Sequence, residues 1–575
     1  LRLTAIVDGK LSNEISENFG IRQMDSKLIN NASREFLVNG KPILLRGAAW
    51  SPDIFQRHSL KREEREMKLV RDMHMNIVRS EGKLEDDNFY DICDREGLLV
   101  MTGWMCCGTW QYPENWDAAE RKVAMASDSS VMYWLRNKAC IMVWLNGSDM
   151  PPRDTTVERD YLAIENNLKW PNPTISTADA SKSKVSGFSG VKMNGPYEWV
   201  PPLYWETDSN KRGGSWSFAT EISPGPSISP YESVIKFIPP DSISTTNATW
   251  QYHCGTMTFG NTHIFDSALM QRYGPAKDVR DYLAKAQLQN YEAHRAMMEA
   301  YGLNKYNTAT GVVQWMLSNP WPGLIWHTYD YYLYPAGTYF GMKKSMEPLH
   351  VMYSYKTGEV CVTNSLLDTF AGLTVKADVY DATGANQFSK TAKTSVGPDG
   401  IARCFTVPVS GDLYLLRLDL KDASGKTRSI NWYWLSRQQD QLDWKKSKWY
   451  YTPQSGFADY TGLNRLSPAT IDVNVTTGKK ENETIHMITL KNTSKSVAFF
   501  LHIRALKGKQ GDDILPLIFS DNYISLAPGE SRTIECTYEN ADAGTATPYV
   551  LVSGWNLDMH GSKASPSGSS GFGLF

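Results

Sequence analysis

The sequence predicts a multidomain protein in which a (β/α)8 TIM barrel precedes two immunoglobulin-like β-sandwich domains. At 575 residues the chain is longer than one hydrophobic core supports. Short apolar runs alternate with helical stretches over residues 44–332, which is the pattern of strand–helix units around a parallel sheet. After about residue 341 the helical stretches end, and alternating strands with regularly spaced turns follow, as in β-sandwiches.

Eight apolar runs are the candidates for the barrel strands, because each is short and bounded by Gly, Pro or polar residues. They lie at residues 44–50, 76–82, 98–104, 141–149, 174–179, 191–200, 218–223 and 323–332. A hairpin with a turn at Asn39 and Gly40 leads into the first run. The irregular stretch 239–274 is predicted to fold over the mouth of the barrel.

The domain boundaries follow from the same changes of pattern. The strand-like runs at the start of the chain are too short to fold alone, and the end of the chain is rich in Gly and Ser. The predicted units are the C-terminal remnant of an immunoglobulin-like sandwich (1–24), the catalytic barrel (25–345), two immunoglobulin-like sandwiches (346–440 and 453–560) and a flexible tail (561–575).

Composition and charge narrow the classes of function. The net charge is −2 and no long basic run occurs, which argues against nucleic acid and anionic membranes as partners. No run of 18 or more apolar residues predicts a membrane span. The eight cysteines lack metal-site spacing, so no metal is predicted. The 19 Trp and 29 Tyr suit either large cores or the apolar faces of sugars.

Two predicted barrel strands end in a carboxylic acid. One run is Trp144-Leu-Asn-Gly-Ser-Asp149 and the other is Ser215-Trp-Ser-Phe-Ala-Thr-Glu221. Because active sites of such barrels form at the carboxyl ends of the strands, we expect both acids at one mouth. A facing pair of carboxylic acids is the arrangement that cleaves a glycosidic bond. Either acid alone would more often be a surface or capping group, so the prediction depends on the pair.

Several longer motifs resemble a known family. They are Phe19-Gly-Ile-Arg22, Asn39-Gly-Lys-Pro-Ile-Leu-Leu-Arg-Gly47, Ser80-Glu-Gly-Lys-Leu-Glu85, Lys192-Met-Asn-Gly-Pro-Tyr197, Arg212-Gly-Gly-Ser-Trp216, Asn319-Pro-Trp-Pro-Gly-Leu-Ile-Trp326, Ser520-Asp-Asn-Tyr523 and Leu526-Ala-Pro-Gly-Glu-Ser531. On these motifs the chain resembles glycoside hydrolase family 2, and within it the exo-β-D-glucosaminidase (exochitosanase) group. The resemblance also implies N-terminal domains before the barrel, which are missing here apart from the last strands.

This resemblance implies a retaining hydrolase, without a cofactor, that releases β-1,4-linked D-glucosamine from the non-reducing end of chitosan or chitooligosaccharides. Glu221 would be the nucleophile that forms a glycosyl-enzyme intermediate, and Asp149 the general acid and then base. Such a mechanism places the two carboxyl groups about 5–5.5 Å apart. Ser148 stands where family members commonly have Asn. The ammonium of glucosamine only donates hydrogen bonds, so an accepting Ser and nearby carboxylates suit it.

A cationic sugar also needs local negative charge. Glu81 is preferred over Asp53 as the contact of the substrate amine, and a salt bridge to Arg46 or Arg79 is the alternative for each acid. Further substrate contacts are predicted among polar and aromatic residues near the strand ends, with packing as the alternative for the aromatic ones. These candidates are Asn194, Tyr197, Trp199, Tyr204, Trp216, Trp321 and Trp326.

Two other functions stay open. One is a β-mannosidase or mannosylglycoprotein endo-β-mannosidase of the same family, against which the dipeptide Ser148–Asp149 argues, since Asn-Glu would favour a sugar with a neutral 2-hydroxyl. The other is a non-catalytic carbohydrate-binding fragment. The expected partner is a chitosan-type or other β-linked oligosaccharide. Because polymeric chitosan does not cross membranes, a secreted or periplasmic location is expected.

Overall fold

The computed structural model describes residues 1–30, 33–207, 212–409 and 411–575. Its central element is an eight-stranded parallel sheet. The strands are Leu45–Trp50, Ile77–Ser80, Leu99–Gly103, Ile141–Leu145, Thr174–Ile175, Val191–Lys192, Ser217–Ile222 and Ala309–Gln314. Numbered along the chain, they lie in the order 5-4-3-2-1-8-7-6. This is the cyclic order of a TIM barrel, with strands five and six at the ends of the hydrogen-bonded ladder.

The eighth strand lies where the sequence did not predict it. The assignment to residues 323–332 was wrong, because Ala309–Gln314 pairs on one side with Ser217–Ile222 and on the other with Leu45–Trp50. All six of its residues are buried. The stretch 323–332 forms turns instead, and Trp326 has a φ of +66°. The aromatic residues of 323–332 resemble the apolar pattern of a strand. The observed strand, Ala309–Gln314, is a less apolar run that comes shortly after the long helix Val279–Leu303.

Helices follow most of the strands and cover the outside of the barrel. They are Leu60–Asp72, Asp87–Glu96, Ala118–Leu135, Thr155–Asn167, Tyr231–Val234, Ala248–Tyr252, His263–Tyr273, Val279–Leu303 and Gly337–Ser345. Two of these helices belong to the stretch 239–274, which is therefore more regular than predicted. In the same stretch, the Phe259 ring lies 4.7 Å from that of Trp326, so the segment reaches the mouth.

A small antiparallel sheet covers the amino ends of the barrel strands. It consists of Met24–Ile29, Ser33–Val38 and Lys41–Ile43. Its Phe36 packs edge-on against Phe218, near the start of strand seven, with 5.8 Å between the ring centroids. The predicted turn is confirmed, since Asn39 and Gly40 both have positive φ, at +51° and +76°. Because this small sheet covers the amino ends of the barrel strands, the open mouth of the barrel lies at their carboxyl ends.

The first residues form a solvent-exposed antiparallel hairpin, Arg2–Val7 and Lys10–Ser16. Arg22 then ties the chain to the barrel, because its guanidinium donates to the carbonyl of Ala139 (2.7 Å) and to the amide oxygen of Asn172 (2.7 Å). The assignment of residues 1–24 to a sandwich remnant stays a prediction.

Two pairs of sheets follow the barrel, antiparallel apart from the last strand of the chain, as expected for β-sandwiches. In the first pair, one sheet contains Leu349–Tyr353, Glu359–Asn364 and Ile401–Thr406, and the other contains Phe370–Tyr380, Asn386–Val396, Leu413–Lys421 and Thr427–Ser436. Their apolar faces share one core. In the second pair, one sheet contains Ile471–Lys480, Glu483–Asn492, Ile518–Phe519 and Ser531–Glu539, and the other contains Ala498–Leu506, Ile524–Leu526, Tyr549–Ser553 and Ser570–Phe572. Two short strands, Gln441–Leu442 and Gln454–Gly456, lie between the sandwiches.

The prediction of a flexible tail at 561–575 was wrong. Ser570–Phe572 is a strand that pairs in parallel with Tyr549–Ser553. The terminal Phe575 packs against Phe500 and Tyr523, with 5.7 and 6.3 Å between the ring centroids. The Gly- and Ser-rich composition does not indicate this order, because the tail is held by backbone pairing and by the packing of one ring. Among the described residues, no helix is long and apolar enough to cross a membrane.

Candidate active site

The acidic residues of the site lie at the mouth of the barrel. Glu221 is the fifth residue of strand seven, Ser217–Ile222, and Glu81 directly follows strand two, Ile77–Ser80. Asp149 lies four residues beyond strand four, in a loop rather than in the strand as predicted. Because all these strands are parallel, their carboxyl ends bring the three acids to one end of the barrel.

Arg79 joins these groups at the centre of the site. Its Nη1 lies 2.6 Å from Oε2 of Glu221, and its Nη2 lies 3.0 Å from Oγ of Ser148. Nη2 is also 3.4 Å from Oε1 of Glu81, so the predicted ion pair of Glu81 forms with Arg79, at a longer distance. The Arg79 side chain is only 2% exposed. At this depth the planar guanidinium orients its partners and offsets part of their negative charge.

Glu221 is held by a hydrogen bond at each carboxylate oxygen. Arg79 donates to Oε2, and the hydroxyl of Tyr197 donates to Oε1 over 2.7 Å. Burial and then the negative charge of Glu81 raise the pKa of Glu221, whereas Arg79 and Tyr197 act in the opposite direction. A cation that pairs with Glu81 therefore favours the ionised carboxylate, which is the form that acts as a nucleophile.

The loop that carries Asp149 is fixed through its neighbour. The carbonyl of Ser148 accepts hydrogen bonds from Oγ1 of Thr177 (2.5 Å) and from the backbone N–H of Ala178 (3.0 Å). Burial and the charge of Glu81 raise the pKa of Asp149, with Arg79 opposing them. A raised pKa keeps a carboxylic acid protonated, as a general acid requires. The arrangement thus combines a carboxylate held by two hydrogen bonds with a carboxylic acid whose pKa is raised.

Asp53 lies outside this cluster. Its Oδ2 is 2.6 Å from Nη2 of Arg57, and the hydroxyl of Tyr331 lies 3.4 Å from the same oxygen. The hydrogen bond from Arg57 lowers the pKa of Asp53 to about 2. The alternative interpretation of Asp53, a salt bridge to Arg46 or Arg79, was wrong, because Arg57, four residues further along the same loop, pairs with it instead. The substrate contact of Asp53 stays a prediction. Asp53 lines an adjacent cleft together with Trp50 and Glu85.

Three of the predicted aromatic residues lie at the mouth. Tyr197 contacts Glu221, and Trp326 donates its indole N–H to the carbonyl of Tyr197 over 2.7 Å. Trp321 is half-buried and stacks on His253, with 5.0 Å between the ring centroids. Asn194, also half-buried, lies three residues before Tyr197, and its carbonyl accepts from Arg212 over 3.2 Å.

The other three aromatic candidates pack within the fold. Trp199 is buried and donates to the amide oxygen of Gln454 over 2.8 Å. Tyr204 is buried against Trp205, with 5.1 Å between their centroids. Trp216 directly precedes strand seven, at the end opposite to Glu221, and the ammonium of Lys192 lies 3.9 Å from the centre of its ring. For these three residues, the structure therefore favours the alternative interpretation, which is packing within the fold.

Some residues at the mouth had no signal in the local sequence. Trp449 belongs to the segment between the two sandwiches, and its ring centroid lies 5.6 Å from that of Tyr197. The carbonyl of Tyr450 accepts from the backbone N–H groups of Tyr197 (2.8 Å) and Glu198 (3.0 Å). The run Trp449-Tyr-Tyr451 is aromatic, but nothing in the residues beside it indicates a contact with the barrel.

Comparisons with known proteins agree with this fold. The family model of the exo-β-D-glucosaminidase Ig-fold domain matches residues 449–557. An exo-β-D-glucosaminidase of Streptomyces avermitilis is 38% identical over 97% of this chain. A complex of the exo-chitosanase CsxA of Amycolatopsis orientalis with PNP-β-D-glucosamine superposes with a TM-score of 0.93 at 38% identity, covering 97% of this chain and 68% of that one. The chain belongs to the exo-β-D-glucosaminidase family.

Membership in this family confirms the resemblance to the exo-β-D-glucosaminidase group. Mannosidases are more distant: a mannosylglycoprotein endo-β-mannosidase of Lilium longiflorum is 25% identical over 95% of this chain. The chain spans 64% of the length of its Streptomyces relative.

Proposed function

We propose that this chain is a retaining glycoside hydrolase that releases β-1,4-linked D-glucosamine from the non-reducing end of chitosan or chitooligosaccharides. The observation that carries the proposal is the charge balance of the site. Three carboxyl groups, those of Glu81, Asp149 and Glu221, surround one guanidinium, that of Arg79. An ammonium at carbon 2 of the sugar supplies the missing positive charge, and Glu81 is its partner.

The reaction proposed for the two catalytic acids takes place in two steps. Glu221 attacks the anomeric carbon and forms a covalent glycosyl-enzyme, while the proton of Asp149 passes to the departing oxygen. Asp149, now ionised, takes a proton from water, and the water oxygen attacks the anomeric carbon. The bond to Glu221 breaks, its carboxylate is restored, and the sugar leaves with retained configuration.

Two further observations support the amino sugar over a neutral one. Ser148 accepts a hydrogen bond from Arg79 and lies 3.5 Å from Glu81, so the pair presents oxygen atoms where an amine needs acceptors. The structurally similar CsxA carries PNP-β-D-glucosamine in its complex. Because chitosan is a polymer that does not cross membranes, the proposal includes a secreted or periplasmic location.

The test compares hydrolysis of an aryl β-D-glucosaminide with that of the matching aryl β-D-mannoside. We expect the glucosaminide to be cleaved faster, and the first sugar released to be the β-anomer by NMR. Glu221→Gln keeps the size of the side chain but removes the nucleophile, so kcat/KM falls by at least about 10³-fold. Glu198→Gln is the matched control, because burial raises the pKa of that glutamate to about 8 and the charged residue that acts on it is Asp266 rather than Arg79.

Each result has a defined meaning. Faster cleavage of the mannoside contradicts the amino-sugar assignment, and release of the α-anomer contradicts retention. Full activity of Glu221→Gln removes Glu221 as the nucleophile. A well-folded chain that binds chitooligosaccharides and cleaves neither substrate is a carbohydrate-binding fragment.

A further inference from the structure

Two consecutive cysteines point their thiols to the same place beside the catalytic acids. Cys106 and Cys107 follow strand three, Leu99–Gly103, and their sulfur atoms lie 3.2 Å apart. In an extended chain, consecutive side chains point to opposite sides. Here Cys107 has a φ of +61°, which is an uncommon backbone conformation for a residue other than Gly. This local turn brings the two sulfur atoms together.

Both thiols face two of the carboxyl groups of the site. One ligand atom from each of Glu81, Cys106, Cys107 and Asp149 lies within 4.8 Å of all the others. The packing beneath them is tight, because a Cβ added at Gly82 would lie 2.5 Å from the backbone nitrogen of Cys106 and 2.6 Å from its sulfur. The glycine next to Glu81 thus lets the two loops approach and keeps this carboxylate beside the sulfur atoms.

Two sulfur and two oxygen ligands form a set that suits a thiophilic divalent cation. Zn²⁺ prefers four ligands in a tetrahedron, with Zn–S of about 2.3 Å and Zn–O of about 2.0–2.2 Å, which places the ligand atoms about 3.5 Å apart. The observed spacing reaches this geometry with small side-chain movements. Cys107 is exposed to solvent, so a cation has a route to the cluster. Arg79 opposes the cation, but up to four negative ligands outweigh one guanidinium.

We propose that Glu81, Cys106, Cys107 and Asp149 bind one thiophilic divalent cation, Zn²⁺ or Cd²⁺, and that this cation blocks the mouth of the barrel. Binding displaces the two thiol protons and the proton of Asp149 to the solvent, and the cation takes the two thiolates and two carboxylates as ligands. With both acids engaged, Glu81 is withdrawn from the substrate amine and Asp149 from the leaving oxygen. Only this inhibitory consequence rests on the proposed function.

The binding test uses the full chain, reduced with a phosphine and titrated with Cd²⁺. We expect one equivalent to bind and to produce the ultraviolet cadmium–thiolate charge-transfer band, and Zn²⁺ to displace it. Cys107→Ser removes one sulfur ligand, so the band weakens and the affinity falls by about 30-fold. The matched control is Cys404→Ser, since Cys404 is a half-buried thiol in the first sandwich and should leave the band unchanged.

The proposal is overturned if the reduced wild-type protein shows no band, or if Cys107→Ser retains its full strength and affinity. It is also overturned if the two cysteines stay joined as a disulfide under this reductant, which a count of free thiols reveals. The proposed inhibition is tested separately. Zn²⁺ should raise KM for the aryl glucosaminide in the wild type by at least about 10-fold and leave KM of the Cys107→Ser variant unchanged. If no aryl glycoside is cleaved but the cadmium band forms, the proposed function fails while the cation site stands.

Discussion

Arg79 determines how the charged residues of the site act on one another. Its guanidinium contacts Glu221 and Ser148 directly and Glu81 at a longer distance, so its positive charge acts on several groups of the site. Glu81 raises the pKa of both Asp149 and Glu221 through its negative charge. The residue expected to bind the substrate amine therefore also raises the pKa of the two proposed catalytic acids.

Glu81→Gln tests this coupling at the residue scale. Loss of the negative charge lowers the pKa of Asp149, and because Asp149 must be protonated to act as an acid, activity is lost at lower pH than in the wild type. We expect the alkaline limb of the pH profile of kcat to move down by about one unit. KM for the glucosaminide should rise by about 10- to 100-fold, the effect of losing a hydrogen bond to a charged group.

Asp53→Asn is the control for this experiment. Its carboxylate is paired with Arg57 in the adjacent cleft, so neither the alkaline limb nor KM should change. An equal shift in both variants would show that general surface charge, rather than the contact of Glu81 with Asp149, controls the profile.

At the scale of single elements, strand seven supports the place where the barrel closes. Strands five and six end the hydrogen-bonded ladder, and the hydroxyl of Thr220 on strand seven contacts both sides of this closure. Its hydroxyl lies 2.7 Å from the carbonyl of Ala178, just beyond strand five, and 3.1 Å from that of Lys192 in strand six. This buried hydroxyl therefore links both sides of the closure, directly beside Glu221.

Thr220→Val should lower the free energy of unfolding by about 1–3 kcal/mol, because it removes the donor shared by two buried carbonyl groups without changing side-chain shape. Urea denaturation measures this difference. Thr310→Val on strand eight is the matched control: Thr310 is equally buried, but within the described part of the chain its hydroxyl has no hydrogen-bond partner. Its stability should be unchanged or higher. Equal destabilisation of the two variants would contradict the linking role of Thr220.

At the scale of the whole molecule, the segment between the sandwiches completes the mouth of the barrel. Trp449 lies beside Tyr197, yet its side chain is 52% exposed. Large exposed aromatic residues in a concave site are suited to contact a ligand, and the face of a tryptophan suits the C–H face of a sugar. The segment that joins the two sandwiches thus contributes an aromatic ring to the site.

Trp449→Ala should raise KM for chitooligosaccharides by about 5-fold, equivalent to about 1 kcal/mol of aromatic contact, with little change in kcat. The matched control is Trp444→Ala in the same segment. That ring packs against Tyr204 at 5.6 Å, so its loss should lower the melting temperature and leave KM unchanged. If KM rose in the Trp444 variant alone, the sugar contact would belong to Trp444 rather than to Trp449.

The sequence by itself determined the elements that depend on local pattern. Apolar runs located seven of the eight barrel strands, Asn39 and Gly40 placed the hairpin turn, and the motifs led to the family. The pair Asp149 and Glu221 was also predictable, since each follows or ends a buried strand and parallel strands share one mouth. These features were predictable because the burial of a strand and the conformation of a turn depend on residues that are neighbours in the sequence.

Only the tertiary structure decided which side chains meet. Arg79 and Glu221 are 142 residues apart, and local periodicity carries no information about such a contact. For the same reason the sequence did not separate Tyr197 from Trp216, although it did rank Glu81 above Asp53. The two adjacent cysteines lacked metal-type spacing, yet the fold brings their sulfur atoms to two carboxyl groups from other loops. The chemistry of the site depends on long-range packing, which joins residues that the sequence keeps apart.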